Sequence, residues 1–130
     1  MKDALSFGDV FLYEERHYVF FLEADGVFYC GRILDEEQAK LVLALYNRPS
    51  ERISHEHIAF CFVQLSTEPF DGRIAHLARP ESNIPNLPSG VTYVCTLDNN
   101  DRQHITGKIS ETSGIPVVLK KYVSSLEGDV

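Results

Sequence analysis

A serine–threonine pair, Ser66-Thr67, lies between two strand-like segments of this chain and is its most informative candidate for side-chain chemistry. Ile58–Leu65 is the most apolar segment and predicts a buried strand, and Phe70–Ala78 predicts a second strand after the turn. Hydroxyl groups at the end of a buried strand can bind a ligand or a substrate. Serine and threonine also favour turns, because their side chains bond the local backbone. The sequence therefore leaves two roles open for this pair.

Three histidines, His55, His57 and His76, together with Glu56 could bind a metal ion, since imidazole and carboxylate suit zinc, iron or nickel. His55 and His57 are two residues apart and would share one face of a strand, but the sequence specifies no third ligand. A solvated strand entrance is the favoured interpretation. We therefore predict no metal site and no cofactor, and a small-molecule or metal binder that uses this edge is one alternative.

The three cysteines have spacings that predict packing in the core. Cys30, Cys61 and Cys95 each lie in an apolar segment, and none has a cysteine partner two to four residues away. This arrangement indicates neither a zinc knuckle nor a disulfide framework. We predict buried, reduced thiols.

The composition indicates a single folded domain over residues 1–130. Hydrophobic residues make up 44% of the chain and charged residues 24%, which excludes disordered, collagen-like and coiled-coil proteins. No segment approaches the roughly 20 apolar residues of a membrane span, and the first residues lack the apolar core of a signal peptide. We therefore predict a cytoplasmic protein with no membrane contact. The net charge of −7 argues against general binding of nucleic-acid backbones but allows a local basic pocket.

The first part of the chain predicts a β-meander followed by a helix. Val10–Tyr13, Tyr18–Leu22 and Val27–Leu34 are rich in β-branched and aromatic residues and predict three strands. Acidic residues then favour a helix start, and apolar residues recur at helical spacing over Asp35–Asn47. Leu41–Leu45 could instead be a buried strand.

The second part of the chain predicts further short strands and a final helix. Ile58–Leu65 predicts a central strand, and Arg79–Gly90, which contains three prolines, predicts a long loop. Asp98–Arg102 predicts a turn, and an amphipathic helix is expected to begin at Ser113-Gly-Ile-Pro116. The remaining predicted strands are Arg73–Ala78, Val91–Leu97 and, as a further short strand, His104–Ser110. This order favours a small, bent antiparallel sheet or a partly open barrel over a parallel sheet.

Four segments resemble, in the same order, the MazF/PemK toxin family. Phe7-Gly-Asp-Val-Phe-Leu12 is similar to the family's Gly-Asp-Ile/Val first strand, and Val63-Gln-Leu-Ser-Thr67 lies where members have a strand that ends in Pro-Ile-Thr-Ser. Gly90–Leu97 resembles the late strand, and Lys108-Ile-Ser110 resembles the Gly-Lys-Leu/Val-Ser ending before the last helix. The resemblance implies a mainly-β fold, a small SH3-like antiparallel barrel with a short helical insertion and a C-terminal helix.

The resemblance also implies a sequence-specific endoribonuclease that works without metal. In such an enzyme the 2′-hydroxyl of the RNA attacks the adjacent phosphate, with a hydroxyl or base near the 2′-oxygen and an arginine on the phosphate. Members carry Arg-Pro at the start of the second main strand, a dipeptide that this chain lacks there, so Arg32 or Lys40 is the substitute. By position, the candidate catalytic residues are Thr67, Ser66 and Arg32, and the candidate substrate-binding residues are Arg73, Lys40 and His76.

The partners implied by the resemblance are single-stranded RNA, an antitoxin protein and a second copy of the chain. The missing Arg-Pro and the negative net charge favour a different hypothesis, a non-catalytic protein-interaction module on the same barrel. The sequence leaves open whether the chain is an enzyme.

Overall fold

Six antiparallel strands form one open sheet in the part of the chain that the structure describes. This computed structural model describes residues 5–24, 27–47, 62–77, 91–112 and 117–128. The strands are β1 (Asp9–Tyr13), β2 (Arg16–Ala24), β3 (Val27–Ile33), β4 (Phe62–Gln64), β5 (Ile74–His76) and β6 (Thr92–Thr96), and the helices are α1 (Glu36–Asn47), α2 (Asn99–Glu111) and α3 (Val117–Gly128). The strand order is β4-β5-β3-β2-β1-β6. The prediction of a mainly-β fold is confirmed. The sheet that the described residues form is not closed into a barrel.

Both faces of the sheet carry apolar side chains, because successive residues of a strand point to opposite sides. Val10 pairs with Val19 in the ladder of β1 and β2, and Phe11 pairs with Tyr18 on the other face. The first face belongs to the main core, which α2 and α3 cover with Ile105, Ile109, Leu119 and Val123. The second cluster consists of Phe11, Tyr18, Phe20, Phe28 and Cys30. Register shifts after Val10 and after Phe20 interrupt the ladders, as β-bulges do in bent sheets.

The turn between β1 and β2 holds two glutamates in a left-handed backbone conformation. Tyr13 pairs with Arg16, and φ is 49° at Glu14 and 67° at Glu15. Two positive φ values match the type I′ turn that fits the twist of a hairpin, which Asn-Gly usually supplies. A residue other than glycine costs about 1–2 kcal/mol in this conformation. The turn therefore carries local backbone strain at both glutamates.

Most of the predicted elements are confirmed within the described residues. The first three strands, the strands β5 and β6, and the final helix lie where the sequence placed them. Residues 36–47 form a helix, so the alternative of a strand over Leu41–Leu45 is wrong. Within the described ranges, no helix is long and apolar enough to cross a membrane. The predictions for His55, His57, Cys61 and the loop Arg79–Gly90 lie outside the described residues.

Two predictions for the second half of the chain are wrong. The strand predicted over Ile58–Leu65 to be central is observed at Phe62–Gln64 as an edge strand, which pairs only with β5 in the described sheet. Its apolar character has another cause, since Val63 and Leu65 are buried in the main core. The turn and short strand predicted over 98–110 are instead the helix α2, whose buried residues Asp101, Ile105 and Ile109 recur every four positions.

Gly31 of β3 lies in a closely packed part of the core, and replacing it with alanine should destabilise the fold. A Cβ atom there would be 2.9 Å from Leu77 Cδ2, 3.0 Å from Phe21 Cζ and 3.2 Å from the carbonyl oxygen of His76. We expect Gly31→Ala to lower the free energy of unfolding by about 1–3 kcal/mol, the usual effect of overpacking. Urea denaturation measures the change.

Gly107 of α2 provides the matched control. A Cβ atom at Gly107 would meet nothing within 4 Å, and alanine is favoured over glycine inside a helix. Gly107→Ala should therefore raise the free energy of unfolding by up to about 1 kcal/mol. Equal urea midpoints for Gly31→Ala and the unchanged chain would contradict the close packing at Gly31.

Candidate functional site

A polar pocket of about 340 Å³ opens beside the turn between β1 and β2. We call it the arginine pocket. It is lined by the basic residues Arg16, His17, Arg32 and Arg73 and by the carboxylates of Glu14, Glu15 and Asp35. The pocket thus brings three guanidinium groups together in a chain whose net charge is −7. Its three arginines and three carboxylates give the pocket no net formal charge when His17 is neutral, so it is less negative than the chain as a whole.

Neighbouring strands position the basic side chains of this pocket. Arg16 and His17 are the first two residues of β2, and Arg32 is the penultimate residue of β3. Arg32 pairs with Tyr18 on one side and with His76 of β5 on the other. Arg73 immediately precedes β5. Because β2, β3 and β5 are adjacent in the sheet, residues distant in sequence meet at one end of it.

The three arginines differ in how they are held. Arg73 donates from Nε and Nη2 to the carbonyl oxygen of Leu34, at 3.1 Å and 2.7 Å. This forked pair of hydrogen bonds fixes its guanidinium. The guanidinium groups of Arg16 and Arg32 have no hydrogen-bond or ion-pair partner among the described residues. Their guanidinium groups therefore remain available for an anion, and guanidinium geometry suits the two oxygens of a phosphate.

His17 is half-buried, and an aromatic contact holds its ring. The ring packs edge-on against Phe70, with centroids 5.0 Å apart and an interplanar angle of 65°. Burial lowers the pKa of His17 below its ordinary value near 6.5, and the positive charge of Arg73 lowers it further. The imidazole is therefore neutral at pH 7 and has a lone pair that can accept a proton.

Ser66 and Thr67 both bind the carboxylate of Asp101, which is fully buried. The backbone nitrogen of Ser66 donates to both carboxylate oxygens, at 2.9 Å and 3.0 Å, and its Oγ donates at 2.9 Å. Thr67 donates from its backbone nitrogen at 2.8 Å and from Oγ1 at 2.5 Å. Thr67 Oγ1 also accepts from the backbone nitrogen of Asp98, at 2.9 Å. We call these four residues the Asp101 clamp.

The clamp keeps Asp101 ionised and connects two elements of the fold. Burial alone would raise the pKa of Asp101, but the hydrogen bonds from Thr67 and Ser66 outweigh it and hold the pKa below the ordinary value. Asp98 caps α2 by accepting from the backbone nitrogen of Asp101 at 2.8 Å. The carboxylate of Asp101 thus lies in the first turn of α2, where the helix dipole favours negative charge, and ties that turn to the end of β4.

The loop that follows the clamp leads directly to the arginine pocket. Leu65 and Arg73 close its base, since the backbone nitrogen of Leu65 donates to the carbonyl oxygen of Arg73 at 2.8 Å. Within the loop, the backbone nitrogen of Phe70 donates to the carbonyl oxygen of Thr67 at 2.7 Å. Phe70 supports the ring of His17, and Arg73 lines the pocket. The Asp101 clamp therefore holds a loop that supplies two supports of the pocket.

The structure places the predicted site residues in separate parts of the fold. Arg32 and Arg73 meet in the arginine pocket, whereas Ser66 and Thr67 belong to the Asp101 clamp. Lys40 is exposed on α1, and His76 is half-buried on β5 opposite Arg32. Sequence reasoning missed Arg16, His17 and Asp101. Arg16 and His17 begin β2, but their types and spacing in the sequence alone did not mark them as a site.

Other concave or metal-binding features are weaker candidates. A groove of about 540 Å³ lies between β4 and α2, but its lysine, Lys108, already pairs with Glu111 at 3.6 Å. Within the ranges described by the structure, no three histidine, cysteine, aspartate or glutamate side chains form a group that could hold a metal ion. Cys30 is buried and Cys95 half-buried, and burial, followed by the charge of Asp9, raises the pKa of the Cys95 thiol.

Comparison with protein-family models, curated proteins and solved structures finds no match to this chain. Its function must therefore be inferred from its own residues. Two features are available for that inference, the arginine pocket and the loop that the Asp101 clamp holds beside it.

Proposed function

We propose that the arginine pocket binds a phosphodiester group of single-stranded RNA and that the chain cleaves RNA without a metal ion, as a MazF/PemK-like toxin ribonuclease. One observation carries the proposal. Arg16 and Arg32, whose guanidinium groups have no partner among the described residues, share a pocket with a neutral histidine, His17. Anion binding and proton transfer thus have suitable groups in one place.

The chemistry of RNA cleavage matches the groups that line the pocket. The 2′-oxygen attacks the adjacent phosphorus and forms a 2′-O–P bond, while the bond from phosphorus to the 5′-oxygen breaks. The products are a 2′,3′-cyclic phosphate and a 5′-hydroxyl. The reaction needs a proton acceptor at the 2′-oxygen, a proton for the 5′-oxygen and positive charge beside the phosphorane. Imidazole, carboxyl and guanidinium groups can fill these needs.

Arg16 and Arg32 are the proposed phosphate contacts. Arg32 was a candidate from the sequence, and Arg16, the first residue of β2, lines the same pocket. Arg73, whose guanidinium is bound to Leu34, is the proposed positioning residue beside them. Lys40 stays a prediction as an alternative phosphate contact. It is exposed on α1, the helix that contributes Gln38 to the pocket.

Ser66 and Thr67 have a supporting role in this proposal. Both hydroxyls donate to Asp101 in the structure, so they hold the loop that carries Phe70 and Arg73. A contact of either hydroxyl with the 2′-oxygen stays a prediction of the resemblance. The antitoxin partner and the homodimer likewise stay predictions.

We also propose that the sheet is a form of the SH3-like barrel. The order of strands along the chain, the two register shifts and the apolar clusters on both faces support this proposal. Such barrels are bent sheets whose bulged strands turn from one side to the other.

The proposal predicts that purified protein cuts RNA in the presence of EDTA. A long single-stranded RNA should give discrete fragments that end in 2′,3′-cyclic phosphate and begin with a 5′-hydroxyl, which gel analysis and end-group mass spectrometry detect. DNA of the same sequence is the control and should stay intact, because it lacks the attacking hydroxyl. Intact RNA after incubation with a large excess of protein would contradict the proposed activity.

A non-catalytic interaction module is the second candidate, and the clamp favours it. The two hydroxyls that the sequence marked for catalysis are already engaged with Asp101. If the chain is such a module, RNA stays uncut at every protein concentration. The EDTA experiment therefore separates the two candidates directly.

A further inference from the structure

We propose that His17 accepts the proton of the attacking 2′-hydroxyl in the arginine pocket. This inference rests on the proposed function, because it assigns a residue to a step of that reaction. Sequence analysis did not single out His17. The structure does so through the position of its ring, the residues that hold the ring and the charges that surround it.

The loop that the Asp101 clamp holds supports the ring of His17 through Phe70. Phe70 is 4% exposed and contacts the imidazole edge-on at 5.0 Å. The backbone nitrogen of Phe70 donates to the carbonyl oxygen of Thr67, which is itself bound to Asp101. The ring is therefore supported by a chain of contacts that ends in a buried carboxylate. A proton acceptor needs such fixed orientation, because small displacements of a reacting group lower the rate strongly.

The charged groups around His17 come from every element beside the pocket. Arg16 comes from its own strand, Arg32 from β3 and Arg73 from the loop before β5. Glu14 and Glu15 lie in the β1–β2 turn, and Asp35 precedes α1. Burial, and after it the positive charge of Arg73, lowers the pKa of the imidazole. Both effects favour the neutral form of the ring, which has a lone pair that can accept a proton.

Glu14 and Glu15 are the competing proton acceptors in this pocket. Both are exposed at the tip of a turn, whereas His17 is half-buried and held by Phe70. A proton acceptor needs a fixed orientation, and the edge-on contact with Phe70 gives the imidazole one. The imidazole is the better matched acceptor.

The proton balance of the proposed step is complete. The lone pair of His17 takes the proton of the 2′-hydroxyl as the 2′-O–P bond forms and the bond to the 5′-oxygen breaks. A water molecule protonates the leaving 5′-oxygen, and the imidazolium then returns its proton to the hydroxide left by that water. The step requires no oxidant, reductant or metal ion.

The test compares His17→Gln with Glu15→Gln on an RNA that carries a single scissile site. His17→Gln should lower kcat by about 100-fold or more, the lower range of general base catalysis. It should also abolish the fall of kcat/KM at acidic pH, and added imidazole should restore part of the rate. Glu15→Gln should still show the fall of kcat/KM at acidic pH. A His17→Gln protein with the original rate and pH profile would overturn the assignment.

A second measurement follows the ring of His17 in the unchanged chain. Proton NMR of the ring, titrated with and without an RNA whose scissile 2′-hydroxyl is replaced by hydrogen, should show a pKa that rises when the RNA binds, because an adjacent phosphate favours imidazolium. An unchanged pKa on RNA binding would overturn the inference.

The two experiments distinguish the inference from the proposed function. If the original chain cuts RNA in EDTA while His17→Gln cuts at the same rate, only the role of His17 is wrong. If the original chain leaves RNA intact, the proposed function fails, and the proton transfer fails with it.

Discussion

Replacing Asp101 with asparagine is expected to lower the free energy of unfolding by about 2–4 kcal/mol, because hydrogen bonds to a buried charge are strong and their donors cannot be left unpaired. The carboxylate accepts from both backbone nitrogens and both hydroxyls of Ser66 and Thr67. Asparagine has nearly the same shape as aspartate, but its NH₂ group cannot accept the hydrogen bonds that Ser66 and Thr67 donate. The substitution leaves no cavity and thus isolates the hydrogen bonds. Urea denaturation measures the loss.

Asp98→Asn is the matched control, since it makes the same chemical change three residues earlier. Asp98 caps α2 with one carboxylate oxygen, and asparagine caps helices about as well as aspartate. Its effect should stay below about 0.5 kcal/mol. Equal losses for Asp98→Asn and Asp101→Asn would show that helix capping, and not the clamp, is what matters.

The stabilising effect of Asp101 should also depend on pH. The pKa of this carboxyl is lower in the folded chain than its ordinary value near 3.8, so the unfolded chain binds the proton more readily. The contribution is complete above that ordinary value and is lost as the pH falls through the lower folded value. The unfolding free energy of Asp101→Asn should therefore decrease less than that of the original chain in this acidic range.

The elements that could be predicted from sequence are those whose signal is local. Val10–Tyr13 and Tyr18–Leu22 are rich in β-branched and aromatic residues, and this local composition identified both strands. The start of α1 is equally local. Asp35 accepts from the backbone nitrogen of Gln38 at 2.8 Å, and Gln38 lies three residues after it, the spacing of a capping box.

The helix α2 was missed because distant contacts stabilise it. Its first residues, Asp98 to Asp101, favour turns, and Gly107 lowers helix propensity. The helix is stabilised by contacts with other elements of the fold. Ile105 and Ile109 are fully buried in the main core, and Asp101 binds residues 34 and 35 positions away in sequence. These contacts cannot be predicted from the residues that are adjacent to the helix in sequence.

The site shows the same division between local and distant signals. Ser66-Thr67 was recognisable as a cluster of hydroxyls, but its partner Asp101 lay in a segment predicted to be a turn. Arg32 and Arg73 were named from the resemblance. That Arg16 and His17 join them depends on the adjacency of β2, β3 and β5, which a single sequence does not specify.

Removing the guanidinium of Arg32 is expected to lower the rate of RNA cleavage by about 100- to 1000-fold. Negative charge grows on the phosphate oxygens in the transition state, and a preorganised cation that has no other partner stabilises it without first breaking a contact. The loss in Arg32→Gln should therefore appear mainly in kcat, with a smaller rise in KM. Single-turnover cleavage of one defined RNA measures both.

Two substitutions control for charge and for geometry. Lys121→Gln removes the same charge from an exposed position on α3 and should cut at the original rate. Arg32→Lys keeps the charge but loses the planar fork that binds two oxygens, so its rate should lie between those of the original chain and Arg32→Gln. A rate for Arg32→Lys as low as for Arg32→Gln would indicate that the fork, and not the charge alone, carries the effect.

Lys40→Gln decides between the two phosphate contacts that the resemblance left open. Lys40 is exposed on α1, so its loss should change cleavage little if the phosphate lies in the arginine pocket. Binding of an uncleavable RNA should show the same contrast. Losing one phosphate contact lowers the slope of log Kd against log salt by about 0.7 for single strands, and Arg32→Gln alone should show that decrease. If Lys40→Gln stops cleavage while Arg32→Gln does not, the phosphate binds at α1 and the arginine pocket is not the active site.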